Sequence, residues 1–577
     1  MIIGKISRVH GIKAQAKLYN KMPPYIIDGN SVIQGPRINS YVKTNVGLDR
    51  VICKVVGEYV DTAGGRNSKR VLELSVIGSF VSNEFSPGLR CLPLIDANVE
   101  LVSEEDYQKI FTSHEYSVKM GTNLFDSNNN LQLNVNSLVP SHIGIFGNTG
   151  SGKSNTLARL IHEYQKMIIN NRISSYKSET ILFDLNNEYG ANAIINYKHK
   201  KIYRLSTRSS KGDRYPISYK SLTEDQIGVL LSATQKTQMP VVKVAMRNLK
   251  NKFSIEEREK AIKWAIVNGQ RQVIYAIRNE LREYVKGLDN LRFFSGKANA
   301  FVDDSRAKVD EFTKKRELHW INDIDDVSLD DIRIEEPVQF LERFKFEIIY
   351  AIVEYLRKGN NFEFVRPLIG RMNSRIKDFE KVFVDSEDSD SDFQFVIVQL
   401  AEVNRDIREI IPTMISGIIF DKLKSLDRTE GVESIKVIII DEAHNLLYKS
   451  RENIDVASNN IDTFESIIKE GRKFGLFLWL ASQRPSDISN TITSQVHHYF
   501  IHKLVNTNDI NAIRKVVPYM DEESMNMISV MGPGECVVSG PGIDIPVFMK
   551  IDKLDDKNEP LSRNVKLFGV GGIFNKD

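Results

Sequence analysis

Cysteine is nearly absent from this chain. The three present, Cys53, Cys91 and Cys536, stand far apart in 577 residues and show no C-x-x-C spacing. That argues against a disulfide framework or a zinc ribbon and suits reduced core thiols in a cytoplasmic protein. An excess of one charge is missing too. With 78 Lys and Arg against 75 Asp and Glu, the net charge is +3, so the chain is no basic coat for nucleic acid. Any DNA or RNA contact must use charge gathered locally, as in a channel. No apolar run approaches the ~18 residues needed to span a bilayer, and the N-terminus lacks a signal-peptide pattern. Repeats and low-complexity tracts are lacking as well. What remains is an ordinary globular composition, with length for about three or four domains.

One octapeptide organises the rest. Gly147-Asn148-Thr149-Gly150-Ser151-Gly152-Lys153-Ser154 fits G-x-x-x-x-G-K-[ST] without a mismatch. The apolar run His142–Phe146 before it reads as a buried strand. After it Leu157, Leu160, Ile161, Tyr164 and Ile168 recur at helical spacing. A glycine-rich turn between strand and helix points successive N–H groups inward at a helix N-terminus, which suits a polyphosphate. Gly147 to Asn155 are therefore the expected nucleotide-binding residues. Lys153 is placed to reach the β- and γ-phosphates of ATP, and Ser154 to take a Mg²⁺ position.

In chain order, residues 1–110 read as β, with short alternating runs such as Val51–Val56 and Val71–Val76 broken by Gly, Pro and Asn. This predicts a small barrel, with loops at Met22-Pro23-Pro24 and Gly35-Pro36. An Asn- and Ser-rich linker is expected from about 112 to 141. The ATPase core then fills 111–220 and resumes over 385–552. Between them, 221–384 carries amphipathic stretches (Glu256–Val267, Arg271–Val285, Val338–Leu356) and predicts a helical insertion. The acidic loop Asp385–Asp392 closes it, and 553–577 reads as a polar arm. Apolar strands at Thr180–Leu185, Phe395–Leu400, Lys436–Ile440, Leu476–Ser482 and Tyr499–Ile501 alternate with helices, which predicts a parallel sheet covered on both faces. The fold class is α/β: a RecA-like P-loop ATPase core, an N-terminal small β-barrel and an inserted helical bundle.

The strand Ile438-Ile439-Ile440 ends in Asp441-Glu442. An acid delivered there faces the phosphate loop, so Asp441 is expected in the Mg²⁺ shell and Glu442 as the group that orients or deprotonates the attacking water. Gln483 ends another strand and is expected beside the γ-phosphate. Arg472 and Arg484 are the leading candidates for an arginine finger given to a neighbouring subunit, with Arg405 and Arg408 behind them. Such a finger is worth on the order of 10³ to 10⁵ in rate. Asp441-Glu442-Ala443-His444 spells the box of superfamily 2 helicases, but only 133 residues follow His444 and none forms the arginine-rich motif of a second motor domain. Basic residues from Arg204 to Arg214, among them Arg208 and Lys211, are candidates for a pore-facing DNA contact, with a solvated loop as the alternative.

Gly147–Asn155, Asp184–Tyr189 with its D-x-x-x-E-Y pattern, Ile438–Leu446, and Lys469–Gly475 running on through Ala481–Asp487 together resemble the HerA family of hexameric DNA translocases, in the FtsK/HerA clade. The resemblance implies a homo-hexameric ring that threads double-stranded DNA through its pore by ATP hydrolysis. It also implies a nuclease or sirtuin-type NADase effector docked on the barrel face, in DNA-end processing or antiviral defence. The alternative is an ATPase ring serving mainly as an assembly and activation platform for that effector. A protein-remodelling ring is a third reading, without a clear aromatic pore loop to support it.

Overall fold

The computed structural model describes residues 1–19, 25–28, 31–61, 69–111, 117–125, 130–170, 178–289, 291–294, 300–309, 316–321, 332–386, 394–426, 434–448, 455–517, 520, 522–541 and 543–561. The Met22-Pro23-Pro24 loop, the acidic loop beyond Ser386 and the arm beyond Leu561 lie outside them.

Strands Lys13–Leu18, Ile2–His10, Asn98–Leu101, Tyr41–Val46, Asp49–Asp61 and Lys69–Val81 hydrogen-bond in that order. Lys69–Val81 then pairs back with Lys13–Leu18, so six strands close into a barrel. Its interior is set by period-two alternation: Val51, Cys53 and Val55 point inward with Leu72, Leu74 and Val76. Burial pushes the Cys53 thiol up to about 12. Ile52 and Phe80 face out of the barrel and join the core of the larger domain.

That domain is built on an 11-stranded sheet. Parallel strands run in the order His498–His502, Ile143–Phe146, Leu476–Ser482, Ile435–Ile440, Ser178–Asp184, Phe395–Glu402 and Lys201–Ser206. Both faces are covered, so the inner strands are apolar through their middles, while the edge strand Lys201–Ser206 keeps Arg204 exposed. Ile438 and Ile440 enter one core and Val437 and Ile439 the other. The first core holds the insertion. The second holds the helix Lys153–Ile169 and the barrel's Ile52 and Phe80.

Beyond His498–His502 the sheet turns antiparallel through Glu535–Gly540, Ile543–Ile551, Ser117–Asn123 and Asn130–Asn134. The stretch expected as a linker therefore supplies two strands. Val118, Met120 and Leu133 alternate with polar neighbours and are buried, a signal masked by the surrounding Asn and Ser. The insertion is helical over Glu224–Leu230, Met239–Lys250, Ile255–Val267, Arg271–Glu280, Phe340–Arg357 and Arg366–Val382. It also carries a three-stranded sheet, Leu291–Phe294, Ala300–Val309 and Arg316–Trp320, whose alternating runs are too brief to stand out between helical repeats. Residues 552–561 return to the core, where the Ile194 N–H donates to the Asn558 carbonyl (2.9 Å). No helix among the described residues is long and apolar enough to cross a membrane.

Candidate nucleotide site

Four strands deliver the expected residues to one edge of the sheet. Ile143–Phe146 runs into Gly147, and Ser482, paired with Phe146, runs into Gln483. Ile435–Ile440 runs into Asp441-Glu442, and its neighbour Ser178–Asp184 ends in Asp184. Parallel register brings these chain-distant groups together, as expected for a ligand crevice at the carboxyl ends of strands.

The phosphate loop is fixed by backbone. The Gly147 N–H donates to the Ser482 carbonyl (3.2 Å) and the Asn148 N–H to that of Lys503 (2.9 Å). Gly150 and Gly152 have φ of 74° and 109°, a region that L side chains avoid. The helix Lys153–Ile169 starts at Gly152 with no side-chain cap, which leaves its first amides for an anion. The Ser151 hydroxyl is buried without a partner, and a Cβ at Gly150 would meet nothing within 4 Å. These features fit a bound triphosphate. Lys153 is buried and makes no hydrogen bond or ion pair among the described residues, but its charge reaches Asp441 and favours the ionised form.

A brace lies under the loop. His502 is fully buried, which lowers its pKa to about 4, so the ring is neutral. Its Nδ1 lies 2.9 Å from the Glu535 carbonyl and donates to it. Nε2, 2.9 Å from Thr156 Oγ1, therefore accepts. The Gly534 N–H donates to the Ser151 carbonyl (2.8 Å). The approach is close: a Cβ on Gly152 would fall 2.9 Å from Gly534 Cα, and one on Gly147 2.5 Å from His502 Cβ.

The acids gather opposite. Asp441 is 4% exposed, accepts the Tyr189 hydroxyl (2.9 Å) and the Glu442 N–H (2.9 Å), and has its carboxyl raised to about 7. Burial is the main cause, and the Glu188 and Glu442 carboxylates add to it. Glu442 has a left-handed φ of 52°, a strained backbone of the kind found at functional turns. Gln483 links the two sides: the Thr149 hydroxyl donates to its Oε1, and its Nε2 donates to Glu442. His444 Nδ1 lies 3.3 Å from both Ser482 Oγ and Glu442 Oε2. It flanks the acid, and burial lowers its pKa.

Among the described residues no group of three or more His, Cys, Asp or Glu forms a metal cage by itself. Mg²⁺ binds through one or two protein ligands and substrate phosphates and keeps several waters. The buried Glu188 Oε2 has no hydrogen-bond donor among the described residues, and burial with the neighbouring Glu188 and Glu442 charges raises the Asp441 carboxyl; a cation would relieve both. Ser154 and Asp441 are the residues that would hold it.

The arginines separate by place. Arg472 lies at the other edge of the sheet, where its charge acts on His142 and His497 at the starts of their strands. The strand Leu476–Ser482 puts about 20 Å between that edge and its own chain's phosphate loop. Arg472 is exposed and has no hydrogen bond or ion pair among the described residues. Arg484 is near the site: its charge acts on His444, and it pairs with Asp487 at 3.7 Å. Arg405 pairs with Glu409 at 3.0 Å, and Arg408 is half-buried. Arg208 and Lys211 are exposed on the loop that follows the edge strand Lys201–Ser206.

Four contributors escaped sequence reasoning: Glu188, Tyr189, His502 and Gly534. The D-x-x-x-E-Y spacing held a signal for the first two. Asp184 accepts the N–H groups of Glu188 and Tyr189 at 3.0 Å each, which turns the chain back toward Asp441. Nothing local marks His502 or Gly534, since their role depends on which strands pair.

The family model for the central domain of helicase HerA matches residues 118–342. The DNA double-strand break repair helicase HerA of Sulfurisphaera tokodaii is 26% identical over 469 residues, covering 81% of this chain and 74% of that protein. The protein of the same name from Pyrococcus furiosus is 22% identical over 529 residues, covering 89% and 82%. Among solved structures, VirB4 of Thermoanaerobacter pseudethanolicus aligns with a TM-score of 0.43 at 12% identity, covering 77% of this chain and 98% of that one.

Proposed function

Because this chain belongs to the HerA family of ATP-hydrolysing helicases, we propose that it works as a ring of six copies that drives double-stranded DNA through a central channel. The parts divide as barrel 1–110, ATPase core 111–220 and 385–552, helical insertion 221–384 and arm 553–577. ATP and Mg²⁺ are the cofactor pair. When bound, Mg²⁺ neutralises phosphate charge. The chain's own residues do the rest. Gly147–Asn155 bind the triphosphate and Lys153 meets its outer phosphates. Ser154 and Asp441 orient the cation, Glu442 holds the attacking water and accepts its proton, and Gln483 registers the γ-phosphate.

The observation that carries the reading is the division among the arginines. Arg484 is paired beside its own site, while Arg472, at the far edge of the sheet, has no ion pair among the described residues. A finger from a neighbour's Arg472 would complete a site that lacks one. This favours hydrolysis between subunits, the arrangement a translocating ring needs.

The test is ATPase activity with and without duplex DNA, on protein whose assembly is checked by negative-stain imaging. Duplex DNA is expected to stimulate hydrolysis, and Lys153→Ala to abolish it. An assembled ring with no DNA binding at low salt would refute the motor.

A second reading has its own observation. Leu48, Leu89, Leu94 and Ile95 are exposed on the barrel, Leu48 completely and the others by 58–63%. Exposed aliphatic side chains on one module favour a docked partner. A nuclease or a sirtuin-type NADase is the effector kind proposed, in double-strand break repair like the named relatives or in antiviral defence. In this reading the ring mainly assembles and activates the effector. Leu94→Asp with Ile95→Asp is expected to end partner activation while ATPase persists.

A further inference from the structure

We propose that Glu188 is a positioning carboxylate of the ATPase site, which holds the Ser154 hydroxyl and a water of the Mg²⁺ shell. The inference rests on the nucleotide-site reading above and adds a residue to it.

Three observations carry it. First, Glu188 faces the cation side. Burial raises its carboxyl above the ordinary range and the charges of Asp184 and Glu442 add to that, while the Ser154 hydroxyl is near enough to favour the ionised form; Glu188 in turn opposes the ionisation of Asp441. Second, its two oxygens differ. Oε1 accepts from Asn186 Nδ2 (3.4 Å), while Oε2 is buried with no hydrogen-bond partner among the described residues. A buried carboxylate oxygen without a donor is costly, and a water on a cation is the donor this place would receive. Ser151 Oγ, on a residue 5% exposed, is likewise buried without a hydrogen-bond partner among the described residues.

Third, the backbone that carries Glu188 is clamped. Its N–H donates to Asp184 Oδ1 (3.0 Å), and its carbonyl accepts the Leu561 N–H of the C-terminal arm (2.8 Å). Asn187 before it is left-handed, with φ 59°. Tyr189 after it is fully buried with its hydroxyl on Asp441. These contacts fix where the backbone of the half-buried Glu188 sits relative to Asp184 and Asp441. Outer-shell groups of this kind typically change metal affinity 10- to 100-fold when removed.

The experiment uses the full chain and mant-ATP fluorescence, titrated with Mg²⁺ after an EDTA baseline. Glu188→Gln is expected to bind the metal-free nucleotide within about twofold of wild type. Its Mg²⁺ midpoint should rise roughly tenfold or more, with a parallel loss in kcat. An unchanged midpoint would overturn the proposal, whatever happens to activity. If Glu188→Gln is insoluble, Glu188→Asp replaces it. That change keeps the charge but withdraws it by one methylene, and the midpoint should rise again, with no rise counting against the proposal. Lys153→Ala separates the two layers. Should it bind nucleotide like wild type, the site reading itself fails; should it lose binding while Glu188→Gln keeps a normal midpoint, only the role of Glu188 fails.

Discussion

Gln483 takes the Thr149 hydroxyl on one end of its amide and gives the other to Glu442. The phosphate loop and the acid proposed to hold the attacking water are thus joined by one side chain. A γ-phosphate that displaces Thr149 must also move Glu442, which is a physical route from bound nucleotide to catalytic geometry. Gln483→Ala is expected to leave the nucleotide Kd within about twofold while lowering kcat by roughly tenfold or more, separable by mant-ATP binding and steady-state kinetics. Glu442→Gln should go further, about 10²-fold or more, because it removes the proton acceptor. The strained φ of 52° at Glu442 offers a second check at this position. Glu442→Gly should relieve strain and raise Tm while hydrolysis is lost.

At the scale of elements, the phosphate loop depends on the antiparallel edge of the sheet. The turn before Glu535–Gly540 places Gly534 against Gly152, and the strand His498–His502 ends in the histidine that bonds Thr156. Gly534 itself has φ 81°. Gly534→Ala is expected to cost about 1–2 kcal/mol from the left-handed backbone alone. It should also weaken nucleotide binding, because strain at φ 81° shifts the turn that supports the loop, although the methyl itself would meet nothing within 4 Å. A Tm loss without any change in mant-ATP affinity would show that the turn is only structural. The same edge reaches the barrel: Lys54 Nζ bonds Ser524 Oγ (2.8 Å) on the helix Glu522–Met527, which precedes that turn. Barrel, turn and phosphate loop are therefore linked in space although they lie far apart in sequence.

For the whole molecule, that linkage bears on how the barrel can be tested. Phe80 and Ile52 are buried in the ATPase core rather than in the barrel, so removing residues 1–110 strips apolar cover from the motor. Phe80→Ala alone is expected to cost about 3–5 kcal/mol and to lower the Tm of the ATPase core, as read by differential scanning fluorimetry. Point changes on the exposed barrel residues are the cleaner probe of partner docking. The proposed ring has a direct test in subunit mixing. Arg472→Ala and Lys153→Ala should each be inactive alone, and their mixture should recover part of the ATPase rate through interfaces that pair an intact loop with an intact finger.

Acid stability is also set by the whole fold. Burial lowers His142 to about 3 and His498 to about 4, against an unfolded value near 6.5. Below about pH 6.5 the unfolded chain takes up protons that these folded rings refuse, so stability falls with pH until the folded values are reached. Each ring contributes about 1.4 kcal/mol per pH unit in that window. Asp441, raised to about 7, acts with the opposite sign. The Tm is expected to fall from pH 6.5 to 4.5, and His498→Gln should make that fall shallower.

By itself, the sequence determined what local chemistry can determine. The phosphate loop announces itself because glycines and a lysine at fixed offsets have few other uses. The apolar strands show as continuous runs because a sheet buried on both faces needs no polar alternation. Asp441-Glu442 and Gln483 were legible as strand ends in such a sheet. The tertiary structure alone decided the rest, since strand order is a matter of pairing between distant segments. It turned the backbone at Glu188 and Tyr189 back toward Asp441, put His502 and Gly534 under the loop, and drew Ser117–Asn123 and Asn130–Asn134 into the sheet. It also sent Arg472 and Arg484, twelve positions apart in the chain, to opposite ends of one strand. A strand of that length carries its two ends to different surfaces of the molecule, and no spacing rule in the sequence says which surface meets a nucleotide.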